Sequence, residues 1–79
     1  MFKLFSSNKC SPCKKLKEIL ERKKIKYEEI NIDTEEGWKE AKRYGVKAVP
    51  TLIKGNWALV GLPQKEEELD EILKEMSKL

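Results

Sequence analysis

The sequence predicts an α/β domain in which a mixed four-stranded sheet is flanked by three helices. Two observations support this fold class. Short segments rich in β-branched and aromatic residues alternate with longer segments of helical periodicity, and the last two short segments are separated by only three residues. The predicted order is strand, helix, strand, helix, strand, strand, helix. With 79 residues, the chain is expected to form one domain over residues 1–79.

The chain begins with a predicted strand and a predicted helix. Residues 1–5 alternate apolar and polar side chains, which is typical of a short strand, and a polar Ser-Ser-Asn-Lys segment ends it. Over residues 11 to about 24, leucine and isoleucine recur at helical spacing, with Cys13 on the same apolar stripe. Pro12 falls in the first turn, where a helix tolerates proline. Cys10 is therefore expected at the N-terminus of this helix.

A second strand and a second helix follow. Residues 25–32 form another β-type segment. Asp33 or Thr34 could cap a helix over about residues 35–44, and Gly45 would end it. A right-handed crossover through the first helix makes the first two strands parallel.

The last part of the chain predicts a hairpin and a final helix. Residues 51–53 and 57–60 are short β-type segments, and the Lys-Gly-Asn segment between them suits a tight turn. Residues 61–63, Gly-Leu-Pro, separate the hairpin from the last helix. Four apolar residues face one way on that helix: Leu69, Ile72, Leu73 and Met76.

Charge and hydropathy exclude several classes of partner. The net charge is +3, but lysines alternate with glutamates along the helices, which is typical of solvated faces. The aromatic residues are too scattered for base stacking, so no nucleic-acid partner is expected. No apolar segment approaches the roughly 18 residues of a membrane span, and four early lysines interrupt any signal peptide. We therefore expect a cytoplasmic monomer with no membrane partner.

Cys10 and Cys13 are the only cysteines, and the chain has no histidine. A structural disulfide is rare in the cytosol, so the pair indicates redox chemistry or metal binding. A structural zinc site needs four ligands, which two thiols do not supply. Two soft thiolates could bind Cu(I), but copper chaperones with this motif have a ferredoxin-like order that ends on a strand. We therefore favour redox chemistry with no metal and no cofactor beyond the cysteine pair.

The position of Cys10 suits a nucleophile. Only the thiolate attacks a disulfide, and a free cysteine with a pKa near about 8.5 is mostly protonated at neutral pH. The unpaired amides and the dipole at a helix N-terminus favour an anion, and Lys9 and Lys14 could add positive charge. We assign attack to Cys10 and resolution to Cys13. Pro12 has no N–H to offer the Cys10 sulfur, so a modestly lowered pKa is expected.

The Val49-Pro50-Thr51 segment is the second candidate part of the site. A cis bond before Pro50 would hold the proline against the dithiol and leave the backbone of Val49 free to pair with an incoming peptide. An ordinary trans proline at a strand start is the alternative, and only about 5–6% of X-Pro bonds are cis. From the residues alone, the trans bond is therefore favoured.

A family resemblance adds to this interpretation. The segment NIDTEEGWKEAKRYGVKAVPTLIKGNWALVG over residues 31–61 resembles the thioredoxin stretch that runs from NID through a cis-proline to a late glycine. With the Cys-Ser-Pro-Cys motif, the similarity covers nearly the whole chain. It implies a minimal thioredoxin fold with strand order 2-1-3-4 and a protein disulfide reductase. Its partners would be protein disulfides and an electron donor, either a reductase or a low-molecular-weight thiol.

The same resemblance assigns roles to residues. Cys10 takes the role of nucleophile, Cys13 that of the resolving cysteine and Pro50 that of the cis-proline. The substrate-binding positions are Ser11, Pro12, Val49, Pro50 and Gly61. A reduction potential near that of thioredoxins, about −270 mV, is expected rather than the about −180 to −230 mV of disulfide isomerases and glutaredoxins.

The chain also differs from thioredoxins. Lys9 stands where they have tryptophan before the first cysteine, and Leu4 where they have a buried aspartate. The short length is more similar to glutaredoxins and to the glutaredoxin-like electron donors of ribonucleotide reductase, which makes a glutathione-dependent glutaredoxin the main alternative. Glutathione specificity is not expected, because four positions lack the usual residues: Ser7, Ala48, Leu62 and Gln64. Four aromatic residues are expected to pack in the core or at an edge rather than to contact substrate: Tyr27, Trp38, Tyr44 and Trp57.

Overall fold

The computed structural model describes residues 1–78, which contain four strands and three helices. Their bounds are β1 (Phe2–Ser6), α1 (Ser11–Arg22), β2 (Tyr27–Asn31), α2 (Glu35–Tyr44), β3 (Thr51–Lys54), β4 (Trp57–Val60) and α3 (Glu66–Ser77). The order of elements is the one expected from the sequence.

The strands lie in the order β2-β1-β3-β4. β1 and β2 are parallel, with Phe2 beside Tyr27. β3 runs antiparallel to both β1 and β4, with Phe5 opposite Thr51 and Thr51 opposite Val60. The expected fold class is therefore confirmed: a mixed sheet of order 2-1-3-4 with three flanking helices.

Two apolar clusters cover the two faces of the sheet. Because side chains alternate along a strand, neighbouring residues of β1 point to opposite faces. The larger cluster joins the sheet to α1 and α3: Phe2, Leu4, Leu16, Ile19, Leu20, Leu52, Leu69, Leu73 and Met76. The smaller cluster joins it to α2: Phe5, Ile30, Ala41 and Ile53. α1 and α3 thus lie on one face and α2 on the other.

α1 is shorter than the sequence predicts. It ends at Arg22, because Lys24 adopts a left-handed conformation with φ of 59°. The amide of Lys24 then bonds to the carbonyl of Glu21, and the amide of Ile25 bonds to that of Leu20. This double closure is a Schellman motif, which normally uses glycine. As a result β2 begins two residues later than expected, at Tyr27.

α2 has the bounds that the sequence predicts. Of the two candidate caps, Thr34 is the one used, since its Oγ1 accepts the amide of Gly37 at 2.9 Å. Gly45 ends the helix with φ of 71°. A Cβ on Gly37 would overlap the backbone carbonyl of Asn31, so only glycine lets the first turn of α2 pack against the end of β2.

Candidate active site

Three segments meet at one end of the sheet. The register places Phe5, Thr51 and Val60 side by side across β1, β3 and β4. Pro50 immediately precedes Thr51, and Gly61 immediately follows Val60. The loop that leads to Cys10 begins directly after Ser6, the last residue of β1. The topology therefore brings the cysteine loop together with segments that lie about 40 and 50 residues further along the sequence.

The two cysteines occupy the start of α1. Cys10 is the N-cap residue with φ of −103° and ψ of 104°, and Cys13 lies in the first turn. Their Cα atoms are 5.2 Å apart, and their sulfur atoms form a disulfide. Cys13 is completely buried, whereas Cys10 is half-buried beside the exposed Ser11 and Pro12. A partner in solution can thus approach the sulfur of Cys10 more easily than that of Cys13.

The Cys10 sulfur receives a hydrogen bond from the protein backbone. The amide of Cys13 donates to Sγ of Cys10 at 3.1 Å. Pro12 has no amide proton to add a second donor. The expected lysines are present on either side: Lys9 and Lys14 are both exposed. Their effect on the sulfur is therefore attenuated by solvent and salt.

The peptide bond between Val49 and Pro50 is cis. Pro50 is fully buried, and its carbonyl accepts the amide of Gly61 at 2.7 Å. The Thr51 hydroxyl donates to the carbonyl of Ala48 at 2.6 Å. Within residues 1–78, neither backbone group of Val49 hydrogen-bonds to another residue. Both groups are consequently available to an incoming strand.

A polar network lies behind the cysteine loop. The side chains of Asn31, the last residue of β2, and of Asp33, in the connection between β2 and α2, hydrogen-bond to Ser7 and Asn8. Asn31 and Asp33 were not expected at the site from the sequence. The predicted parallel pairing of β1 and β2 could have indicated this contact. Two parallel neighbouring strands end at the same edge of the sheet, so the residues that follow them lie close together.

A groove of about 430 Å³ opens beside the segment that leads to Pro50. Trp38 lines it and is 49% exposed, so this residue does not lie in the core. The Lys42 ammonium lies 5.4 Å from the centre of the Trp38 ring. The other lining residues are Ile32, Ala41, Gly45, Val46, Lys47 and Ala48. Trp57 is also half-exposed, on the edge strand β4.

One carboxylate is bound to the last residue of β1. Glu29 Oε2 accepts both the Lys17 ammonium and the hydroxyl of buried Ser6, each at 2.8 Å. The hydrogen bond from Lys17, and to a smaller extent the one from Ser6, lowers the pKa of Glu29 below its usual range. The link ties β1, β2 and α1 together directly before the cysteine loop.

Residues 1–78 contain no group of three or more histidine, cysteine, aspartate and glutamate side chains arranged to hold a metal ion. No helix in that part of the chain has the length and apolar character needed to cross a membrane.

Comparison with known proteins gives consistent results. The glutaredoxin family model matches residues 2–57. A probable thioredoxin of Archaeoglobus fulgidus is 32% identical over 96% of this chain and 88% of its own length. The glutaredoxin-like protein NrdH of Lactococcus lactis is 33% identical over 84% of this chain and 93% of its own. The solved structure of Escherichia coli NrdH-redoxin, described as glutaredoxin-like with a thioredoxin-like activity profile, covers 86% of this chain with a TM-score of 0.67 and 25% identity.

Proposed function

Because this chain belongs to the glutaredoxin family of thiol–disulfide oxidoreductases, we propose that it reduces disulfides of partner proteins through Cys10 and Cys13. The observation that carries the proposal is the difference between the two sulfur atoms. The sulfur of Cys10 is accessible at a helix N-terminus and accepts a hydrogen bond from a backbone amide. Cys13 is buried, and its Cα atom lies 5.2 Å from that of Cys10. The first arrangement suits a nucleophile, and the second suits a residue that acts only within the molecule.

The reaction begins from the dithiol. The Cys10 thiolate attacks one sulfur of the partner disulfide, which forms a mixed disulfide and releases the other partner sulfur as a thiolate. Cys13 then attacks the Cys10 sulfur and expels the second partner sulfur. The proton of the Cys13 thiol passes to one released partner thiolate, and the other takes a proton from water, which received the proton that Cys10 lost on ionisation. The partner gains two electrons and two protons, and the chain ends with the Cys10–Cys13 disulfide.

The segment before Pro50 supplies a place for the partner chain. The free amide and carbonyl of Val49 can pair with the backbone beside the partner's disulfide, as a strand adds to a sheet edge. We infer that Ser11, Pro12 and Gly61 border this position, because the cysteine loop and Gly61 follow the ends of strands that neighbour β3. Backbone pairing is independent of side chains, so it accommodates disulfides in different sequences.

A reductase or a low-molecular-weight thiol has to restore the dithiol. We propose a dithiol reductase rather than glutathione, because Ser7 stands where glutaredoxins have lysine and its hydroxyl is already bonded to Asp33. The test compares recycling by reduced glutathione with recycling by NADPH and a thioredoxin reductase. Faster recycling by glutathione would favour the glutathione-dependent alternative.

The Cu(I) alternative uses the same two thiols. The element order βαβαββα differs from the ferredoxin-like order of copper chaperones. A titration of the reduced protein with Cu(I), run beside a disulfide reduction assay, separates the two functions.

Insulin reduction by dithiothreitol tests the main proposal. The wild type should accelerate it, and Cys10→Ser should abolish the acceleration. Cys13→Ser should accelerate it less than the wild type, and it should accumulate a mixed disulfide with insulin when dithiothreitol is left out. The melting temperatures of the reduced proteins control for folding. Acceleration by Cys10→Ser at the wild-type rate would contradict the proposal.

A further inference from the structure

We propose that Asp33 is a positioning residue for Cys10: its carboxylate holds the loop that presents the nucleophilic sulfur at the start of α1. This inference rests on the proposed role of Cys10 as the nucleophile. Asp33 lies in the connection between β2 and α2, 23 positions from Cys10 in the sequence, and belongs to neither cysteine loop nor proline segment.

The carboxylate of Asp33 binds the loop at two consecutive residues. The hydroxyl of Ser7 is 3.1 Å from both Oδ1 and Oδ2, and the backbone amide of Asn8 donates to Oδ2 at 2.8 Å. Hydrogen bonds to an ionised acceptor are roughly twice as strong as those between neutral groups. Asp33 is exposed, so burial does not force its carboxylate into these contacts. The carboxylate nevertheless binds this one turn.

Asn31 forms a second connection between the same two segments. Its side-chain amide donates to Oδ1 of Asn8 at 2.8 Å, and its own Oδ1 accepts the amide of Asp33 at 2.8 Å. Asn31 therefore orients Asp33 and the loop at once. The amide of Ile32 also donates to the carbonyl of Ser6 at 2.8 Å, which closes the contact on the strand side.

The held residues determine where the sulfur lies. Only Ser7, Asn8 and Lys9 separate β1 from Cys10, and the amide of Cys10 donates to the carbonyl of Ser7 at 3.2 Å. Fixing Ser7 and Asn8 therefore limits the backbone conformations open to Cys10. A Cys10 side chain held in this way keeps its sulfur within reach of the Cys13 amide.

Asp33 has a second effect of opposite sign. A negative charge near the sulfur disfavours the thiolate, whereas correct placement of the sulfur at the helix N-terminus favours it. The other charged groups on segments around the site include Lys9, Lys14, Lys15, Lys47 and the pair of Lys17 with Glu29. They stay unchanged when only Asp33 is replaced. Replacement by asparagine removes the charge and keeps an acceptor, while replacement by alanine removes both.

The test measures the pKa of Cys10 directly. All variants carry Cys13→Ser, so that Cys10 is the only thiol, and thiolate absorbance near 240 nm is followed against pH. Asp33→Ala should raise the pKa of Cys10 by about half a unit to one unit, which leaves roughly three- to tenfold less thiolate at neutral pH. Asp33→Asn should keep the pKa at or below the value of the parent. Ser7→Ala should raise it by less than Asp33→Ala.

Thr34→Ala is the matched control. Thr34 is the next residue and caps α2 through Gly37, but it makes no hydrogen bond to the cysteine loop among residues 1–78. Its loss should lower the melting temperature and leave the pKa of Cys10 unchanged.

Three results would overturn the inference. They are an unchanged or lowered pKa in Asp33→Ala, an equal rise in Asp33→Asn, and an equal rise in Thr34→Ala. The measurement uses no substrate, so it stands even if insulin reduction fails. A failure of the proposed function would instead appear as an inactive wild type with an unaltered set of pKa differences.

Discussion

The backbone amide of Cys13 donates a hydrogen bond to the sulfur of Cys10 at 3.1 Å. Such a donor favours the ionised sulfur, because it interacts more strongly with a thiolate than with a thiol. The intervening Pro12 cannot contribute another amide. The first turn of α1 therefore stabilises the thiolate less than a motif with an ordinary residue at that position would.

Replacement of Pro12 should make the protein more oxidising. Pro12→Ala adds an amide in the first turn, which should lower the pKa of Cys10 by up to about one unit. Stabilising the reduced form by that amount raises the potential by up to about 30 mV. Equilibration with a glutathione redox buffer measures the potential. Pro63→Ala, in the loop before α3, is the control and should leave it unchanged. A lower potential in Pro12→Ala would contradict this explanation.

The flanking lysines should contribute a small, salt-dependent effect. The double change Lys9→Gln and Lys14→Gln should raise the pKa of Cys10 by a few tenths of a unit at low ionic strength, since both residues are exposed. In about 1 M salt, where screening acts within about 3 Å, the difference should disappear. Lys26→Gln, at the opposite end of the sheet, is the control. A rise that persists in high salt would show that the lysines act by another route.

Glu29 should stabilise the fold at neutral pH more than at acid pH. Its pKa is lowered in the folded state by Lys17 and Ser6, so its contribution is present above the unfolded pKa, near about 4.3, and is lost as pH falls through the folded pKa. Glu29→Ala should cost about 1 kcal/mol at pH 7, chiefly because buried Ser6 loses its acceptor. Urea unfolding at several pH values measures the difference.

The matched control for that experiment is Glu28→Ala. Glu28 precedes Glu29 and pairs with Lys3 at 3.4 Å on the surface, where an ion pair contributes little. Its loss should cost less than that of Glu29 at pH 7. A cost for Glu29→Ala that stays constant below pH 4 would contradict the role of its charge.

Gly37 should be required for the first turn of α2 to pack against the end of β2. Gly37→Ala places a Cβ against the carbonyl of Asn31, so the backbone must move, and a loss of about 3 kcal/mol or more is expected. Gly55→Ala is the comparison, because its Cβ meets open space and only the positive φ of 59° is unfavourable. It should cost about 1–2 kcal/mol. Equal losses in the two variants would show that the contact with Asn31 is not limiting.

The elements that the sequence predicts well have local signals. Thr34 caps the N-terminus of α2 and Gly45 ends the helix, as their residue types indicate. The position of Cys10 before α1 follows equally from the apolar stripe and Pro12. α1 ends earlier than its sequence pattern indicates, because Lys24 takes a conformation that usually requires glycine.

The features that the sequence does not predict depend on contacts between distant segments. The exposure of Trp38 depends on how α2 meets the segment before Pro50, which helical periodicity does not specify. The contacts of Asp33 with Ser7 and Asn8 join residues about 25 positions apart and follow only from the register of β1 and β2. Statistics for single X-Pro bonds favour trans at Val49–Pro50, and only the family resemblance pointed to the observed cis isomer.

Trapping of the mixed disulfide tests most directly whether Cys10 is the attacking residue. Reduced Cys13→Ser and Cys10→Ser are mixed with a peptide disulfide, and their intact masses are measured without reductant. Cys13→Ser should gain one peptide arm that dithiothreitol removes, and Cys10→Ser should gain none in the same time, because its remaining thiol is buried. Equal or faster adduct formation by Cys10→Ser would contradict the assignment of Cys10 as the nucleophile.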